Sequence, residues 1–108
     1  MMEKITRDFF LGFIRIHILH HAEKEPIFGQ RFSEELGRHG YHISYGTLYP
    51  IFHRLEKEGY LVSEKINVGG KIRKYYKITR KGKRMLTEAK QQIRELVDEV
   101  LEDSKELK

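Results

Sequence analysis

A glycine pair, Gly69-Gly70, divides two short runs whose side chains alternate instead of repeating with a helical period. Two glycines in succession supply the positive φ angles that a two-residue hairpin turn needs. Residues 60 to 67 (Tyr60-Leu61-Val62-Ser63-Glu64-Lys65-Ile66-Asn67) therefore read as one strand. Ile72 to Thr79 reads as its antiparallel return, with Tyr76 and Ile78 on the inner face. The rest of the chain reads as helix, so the fold class is mainly α (α+β), with a single hairpin set late in a helical chain.

Three helical segments precede the hairpin. In residues 8 to about 23, Phe9, Phe10, Phe13 and Ile16 follow helical spacing, while Leu11, Ile14, Ile18 and Leu19 fall on other faces. A helix apolar most of the way round is buried on more than one side. Thr6 is read as its cap, Asp8 as a first-turn acid, and Pro26 as its break. Residues 28 to 38 carry the narrow stripe Phe28, Phe32, Leu36, with Ile27 beside it, and Gly37 and Gly40 mark the end. Ser44 is a good N-cap for a third helix reaching about Glu58, closed by Gly59. Leu48, Ile51, Phe52 and Leu55 form its inner face; Gly46, Pro50, His53 and Lys57 lie opposite, with Tyr49 on the flank. Pro50 removes a helical hydrogen bond, which costs about 3 kcal/mol in an ordinary helix. Either the helix starts near Tyr49, or Gly46 leaves room for the ring; the strength of the Ser44 cap favours the second.

After the hairpin, Thr79 can cap a last helix from about Arg80 to Leu107. Leu86, Ala89, Ile93, Leu96, Val100 and Leu107 form a heptad-like seam, widened by Val97 and Leu101. Such a helix, about 27 residues, is roughly 40 Å long, more than a domain of this size can cover. A chain this short also buries only about two-thirds of its unfolded surface. Both observations call for a second chain against Phe9, Phe10, Phe13, Leu86, Ala89, Ile93, Leu96 and Val100. The expected organisation is a unit over residues 1–84 and a dimerisation helix over 80–108.

Charge is unevenly placed. The net charge is +5, yet Lys65, Lys71, Arg73, Lys74, Lys77, Arg80, Lys81, Lys83 and Arg84 occupy positions 65–84 with no acid among them. Residues 85–108 instead carry a net −3. A basic hairpin beside an acidic helix suggests an edge that binds a polyanion. Helix, helix, helix, hairpin, long helix is also the order of a winged helix-turn-helix, whose second motif helix enters the major groove of DNA.

Two motifs carry a family resemblance. Ser44-Tyr45-Gly46-Thr47-Leu48-Tyr49-Pro50-Ile51-Phe52-His53-Arg54-Leu55-Glu56-Lys57-Glu58-Gly59-Tyr60 resembles the recognition helix of the PadR family of transcriptional regulators. Gly70-Lys71-Ile72-Arg73-Lys74-Tyr75-Tyr76-Lys77-Ile78-Thr79-Arg80-Lys81-Gly82 resembles that family's wing and the start of its last helix. The match is strong over about half the chain. It implies a homodimer held by the first and last helices, binding a pseudo-palindromic operator, usually as a repressor. Some members release DNA when a phenolic acid or hydrophobic drug binds. With one helix after the wing, the chain is similar to the short branch, which puts a dedicated ligand-binding module in doubt.

The expected DNA-binding residues are Gln30, Ser44, Tyr45, Thr47, Tyr49, His53, Arg54, Lys71, Arg73 and Lys74. Ser44 and the free N–H groups of its helix suit a phosphate. Hydroxyls of Thr47 and Tyr49 can reach base edges, and aromatic edges can touch thymine methyls. Two readings stand for Tyr49, a base contact or a wedge against the first helix, and two for Thr47, a base contact or a local cap. Arg54 lies toward the side of the helix and is expected on a phosphate. Lys71, Arg73 and Lys74 flank the wing tip, with Lys65 and Lys77 as secondary candidates; Gln30 and Arg31 are placed for the backbone.

Other chemistries find little support. Cysteine is absent, so disulfides and thiol chemistry are excluded. No run approaches the roughly 20 apolar residues of a membrane span, and the first residues lack the apolar stretch of a signal peptide, so a cytoplasmic protein is expected. His17 and His21, at i and i+4, have no evident third ligand, and neither a metal nor a cofactor is expected. No nucleophile elbow, P-loop or paired carboxylates point to an enzyme. Phe9, Phe10 and Phe13 form either plain interface core or the wall of a pocket for a flat hydrophobic effector. A winged-helix module docking an acidic protein partner is the alternative to a DNA reader. RNA fits less well, because wing and recognition helix suit B-form grooves.

Overall fold

The computed structural model describes residues 3–102. Its elements are α1 (Lys4–Lys24), α2 (Gly29–Arg38), α3 (Tyr45–Lys57), β1 (Leu61–Val68), β2 (Lys71–Ile78) and α4 (Arg80–Leu96). A π-helical stretch, Val97–Glu102, continues α4. The order is that of a winged helix-turn-helix. The expected seam residue Leu107 lies outside the described residues.

Helix α1 begins four residues earlier than its apolar pattern suggests. Nothing between Lys4 and Asp8 breaks a helix, so winding starts at Glu3, and the Thr6 hydroxyl donates back to the Glu3 carbonyl at 2.9 Å. Thr6 is therefore not the cap, and Asp8 lies past the first turn, in an exposed pair with Lys4 at 2.9 Å. Such pairs contribute little.

The other caps follow the sequence. Ser44 Oγ accepts from the Thr47 N–H at 3.3 Å, and Thr79 Oγ1 accepts from the Gly82 N–H at 3.0 Å. The Thr79 hydroxyl also donates to the Gly59 carbonyl at 2.6 Å, which fixes the start of α4 to the end of α3. Helix α3 starts at Tyr45 behind the Ser44 cap and runs through Pro50. A Cβ on Gly46 would meet Ser44 Oγ at 3.8 Å and not the Pro50 ring, so the missing side chain at Gly46 is not what admits the proline.

The strands pair antiparallel from Leu61 opposite Ile78 to Val68 opposite Lys71. Gly69 and Gly70 make the turn with φ of 58° and 85°, and the Gly70 N–H donates to Asn67 Oδ1 at 3.0 Å. Ile27 adds a one-residue bridge to the free side of β2. Its N–H donates to the Tyr76 carbonyl at 3.0 Å, and the Tyr76 N–H returns a bond to the Ile27 carbonyl at 2.7 Å.

All helices and both strands meet in one core. Ile14, Ile18, Leu19 and Ala22 come from α1, Phe32 and Leu36 from α2, and Leu48, Phe52 and Leu55 from α3. Leu61, Tyr76 and Leu86 close it from β1, β2 and α4. The Phe52 ring sits between those of Phe32 and Tyr76, with centroids at 5.7 and 4.8 Å. Each such side chain contributes about 1.5–3 kcal/mol through burial. Leu86 corrects the expected seam: it is 1 % exposed and lies within the protomer's own core. It sits in the second turn of α4, where the helix still covers its own domain.

Candidate nucleic-acid interface

The start of α3 is prepared for an anion. Its first N–H groups have no partner within the helix and carry the positive end of the helix dipole. Ser44 caps one of them, and the Thr47 hydroxyl lies 3.2 Å from the Ser44 hydroxyl, so Thr47 takes part in the cap while remaining exposed. Tyr45, Tyr49 and His53 then follow at one-turn intervals along α3. Tyr49 stands edge-on to Tyr45 and parallel to His53, with both centroid distances 6.0 Å. Tyr49 is 45 % exposed, and its ring neighbours lie on its own helix instead of on α1.

Tyr45 is only partly exposed. A Cβ on Gly29 would fall 1.8 Å from its ring, so only glycine at the start of α2 lets this tyrosine pack there. Phe28, just before Gly29, meets the wing. The Tyr75 ring stands edge-on to it at 5.2 Å, and the Arg73 guanidinium lies 4.7 Å from its centroid. The start of α2 is thereby pinned to β2.

These contacts leave a groove between the starts of α2 and α3 and the wing. Gln30, Tyr45, Tyr49, Lys71, Arg73 and Lys74 line it together with Phe28, Gly29, Lys65 and Ile72. Six of the ten expected DNA-binding residues thus converge on one surface. Phe28 and Ile72 were missed. Ile72 is 65 % exposed and sits among the wing cations; strand alternation places it on the face of Tyr76, but beyond the edge of the core.

Two expected cations are placed differently. Arg54 donates to Glu58 at 2.8 Å and lines another groove, with Arg15 and Leu11 of α1 and Met85 of α4. One helical step carries it off the Tyr49–His53 face. Lys74 pairs with Glu56 of α3 at 3.1 Å, and its ammonium lies 5.4 Å from the Tyr76 ring. Burial pushes the Glu56 carboxyl up, but hydrogen bonds from Ser63 and Lys74 outweigh it, and the net shift is downward. The hydrogen bond to Glu56 raises Lys74. Lys81, though exposed, donates to the Glu58 carbonyl at 2.7 Å with its ammonium 4.8 Å from the Tyr60 ring. The basic block is therefore partly spent on the fold.

A second surface is apolar. Phe9, Phe13 and Ile16 of α1 face Ala89, Ile93 and Leu96 of α4 and Val97, Val100 and Leu101 beyond it, across an open groove of about 810 Å³. Phe9 is 65 % exposed. Phe10, also expected here, turns the other way and packs on Phe13 and Tyr41 at 5.8 and 5.6 Å. His17 borders the groove with Nδ1 2.9 Å from the Phe13 carbonyl. Among the described residues, no three His, Asp or Glu side chains converge as metal ligands would. Likewise, no helix among them is long and apolar enough to cross a membrane.

Comparison with known proteins agrees with this architecture. The family model of the PadR-like transcriptional regulators matches residues 18–88. The transcriptional regulator Rv3488 of Mycobacterium tuberculosis is 47% identical over 95 residues, covering 88% of this chain and 89% of that one. The crystal structure of a PadR family transcriptional regulator from Eggerthella lenta superposes with a TM-score of 0.78 at 37% identity, over 91% of this chain and 87% of the other. A PadR-like transcription factor from Bacteroides fragilis does so with a TM-score of 0.80 at 29% identity, over 93% and 98%. The chain therefore belongs to the PadR-like family and is a non-enzymatic, DNA-binding transcriptional regulator.

Proposed function

We propose that the chain acts as a homodimer that represses transcription from a pseudo-palindromic operator. The observation that carries this reading is the groove in which the aromatic face of α3 meets the cations of the wing. In such a dimer each α3 enters a major groove, its N-terminus faces a phosphate, and Tyr49 and His53 meet base edges. Lys71 and Arg73 contact the backbone from the wing and Gln30 from the start of α2, with Ser44 and Thr47 beside the phosphate at the start of α3. Tyr45 serves mainly to hold α2 and α3 together. The compartment that fits this work is the cytoplasm.

The apolar groove between α1 and α4 supplies the dimer seam through Phe9, Phe13, Ala89, Ile93, Leu96 and Val100. A flat hydrophobic or phenolic effector entering that seam would change the spacing of the two α3 helices and release the operator.

Selection of bound sites from a random duplex pool at about 100 mM salt tests the reading. An inverted repeat with half-sites about one helical turn apart is expected. Recovery of no motif would move the assignment to a winged-helix module that docks an acidic protein.

A further inference from the structure

One carboxylate ties the motif helix to both strands of the wing. Glu56, in the last turn of α3, accepts a hydrogen bond from Ser63 of β1 through Oε2. Through Oε1 it holds the Lys74 ammonium of β2 at 3.1 Å. Both members of the ion pair keep little more than a quarter of their surface exposed. The strand register explains the need for an acid there. Lys65 and Lys74 are direct cross-strand partners, and like charges so placed destabilise a hairpin. Both also line the groove facing DNA.

We infer that Glu56 is a positioning residue, which fixes the wing against α3 and withholds Lys74 from the DNA backbone. Resting on the DNA-binding reading above, this assigns the wing's phosphate contacts to Lys71 and Arg73. Moving Lys74 onto a phosphate would leave a half-buried carboxylate held by Ser63 alone. That carboxylate would itself repel the backbone.

The test is the salt dependence of affinity for a selected duplex, measured by anisotropy between about 50 and 300 mM salt. A cation that neutralises one phosphate contributes about 0.9 to the slope of log K against log salt. Lys74→Met should leave the slope of the wild type unchanged. Glu56→Gln keeps the bond to Ser63 but frees Lys74, so the slope should steepen by about 0.9 per subunit. The double variant should return to the wild-type slope. A Glu56 with a merely structural role would change melting temperature and affinity but not slope. The assignment is overturned if Lys74→Met flattens the slope, or if folded Glu56→Gln leaves it unmoved; should Glu56→Gln fail to fold, Lys74→Met decides alone. A wild type that binds no duplex overturns the DNA-binding reading and this assignment with it.

Discussion

Gly82 packs so closely on Tyr60 that no side chain fits between them: a Cβ on Gly82 would lie 2.3 Å from the Tyr60 carbonyl oxygen and 2.7 Å from Ile78 Cγ1. The first turn of α4 therefore rests directly on the backbone where α3 gives way to the wing. Because the obstacle is main chain, it cannot rotate aside. Gly82→Ala should destabilise the protomer by about 1–3 kcal/mol, as overpacking does. Urea denaturation checks this, and an unchanged midpoint would mean that α4 can lift off the strands freely.

The wing and α3 should fail in different ways. Lys71→Ala and Arg73→Ala should weaken binding to all sequences alike and each lower the salt slope by about 0.9 per subunit. Tyr49→Ala should instead compress the gap between operator and random DNA, by roughly 1–3 kcal/mol if a base contact is lost. Parallel titrations against both duplexes separate the two effects. Arg73→Ala also removes the cation from Phe28, so its melting temperature should be followed alongside.

Leu86 and Leu96 share a stripe of one helix but answer to different surfaces. Leu86→Ala should cost about 2–5 kcal/mol of folding stability, as deletion of a buried leucine does. Leu96 is exposed in the protomer, so Leu96→Asp should leave the fold intact. In a dimer it would bury an unpaired charge at about 3–5 kcal/mol and weaken association more than about 100-fold. Analytical ultracentrifugation should find a folded monomer; a folded Leu96→Asp dimer would place the seam elsewhere.

Acid should destabilise the protein through α1. Burial holds both His20 and His21 below their ordinary value of 6.5; Lys24 adds to the effect on His20, and His20 to that on His21. Lys90 of α4 also lowers His20, whereas Glu35 of α2 opposes the shift at His21. Lower folded values mean that the unfolded chain binds more protons just below 6.5, so stability rises with pH there. It is complete above that value and falls as pH drops through the depressed range. Melting temperature should decline between pH 7 and 5, and His20→Gln with His21→Gln should flatten the decline. Loss of the Glu56 contribution belongs to a separate window, below its ordinary 4.5.

What could be read from the sequence was local. The Gly69-Gly70 turn, the Ser44 and Thr79 caps and the inner face Leu48, Phe52, Leu55 each depend on neighbours within a few positions, and each is found as read. The departures involve partners on other elements. Leu86 and Leu96 obey one periodicity, and only the point where α4 leaves its domain separates the buried leucine from the exposed one. Lys74 looked uncompensated because its acid lies on α3, outside the basic block. The packing of Tyr45 could not be foreseen, because Gly29 beneath its ring lies on α2. Arg54 lies on a side of α3 that faces α1 and α4, elements distant from it in sequence.

The pair of backbone bonds between Ile27 and Tyr76 has a dynamic consequence. They join the segment after Pro26 to the base of the wing, so neither can open without breaking the other's hydrogen bonds. In deuterium exchange the amides of Ile27 and Tyr76 should become labelled together and slowly, as members of one cooperative unit. The amides of Gly69 and Lys71 at the tip should exchange far sooner. The wing would then bend from a fixed root, with its free end adapting to the backbone it meets.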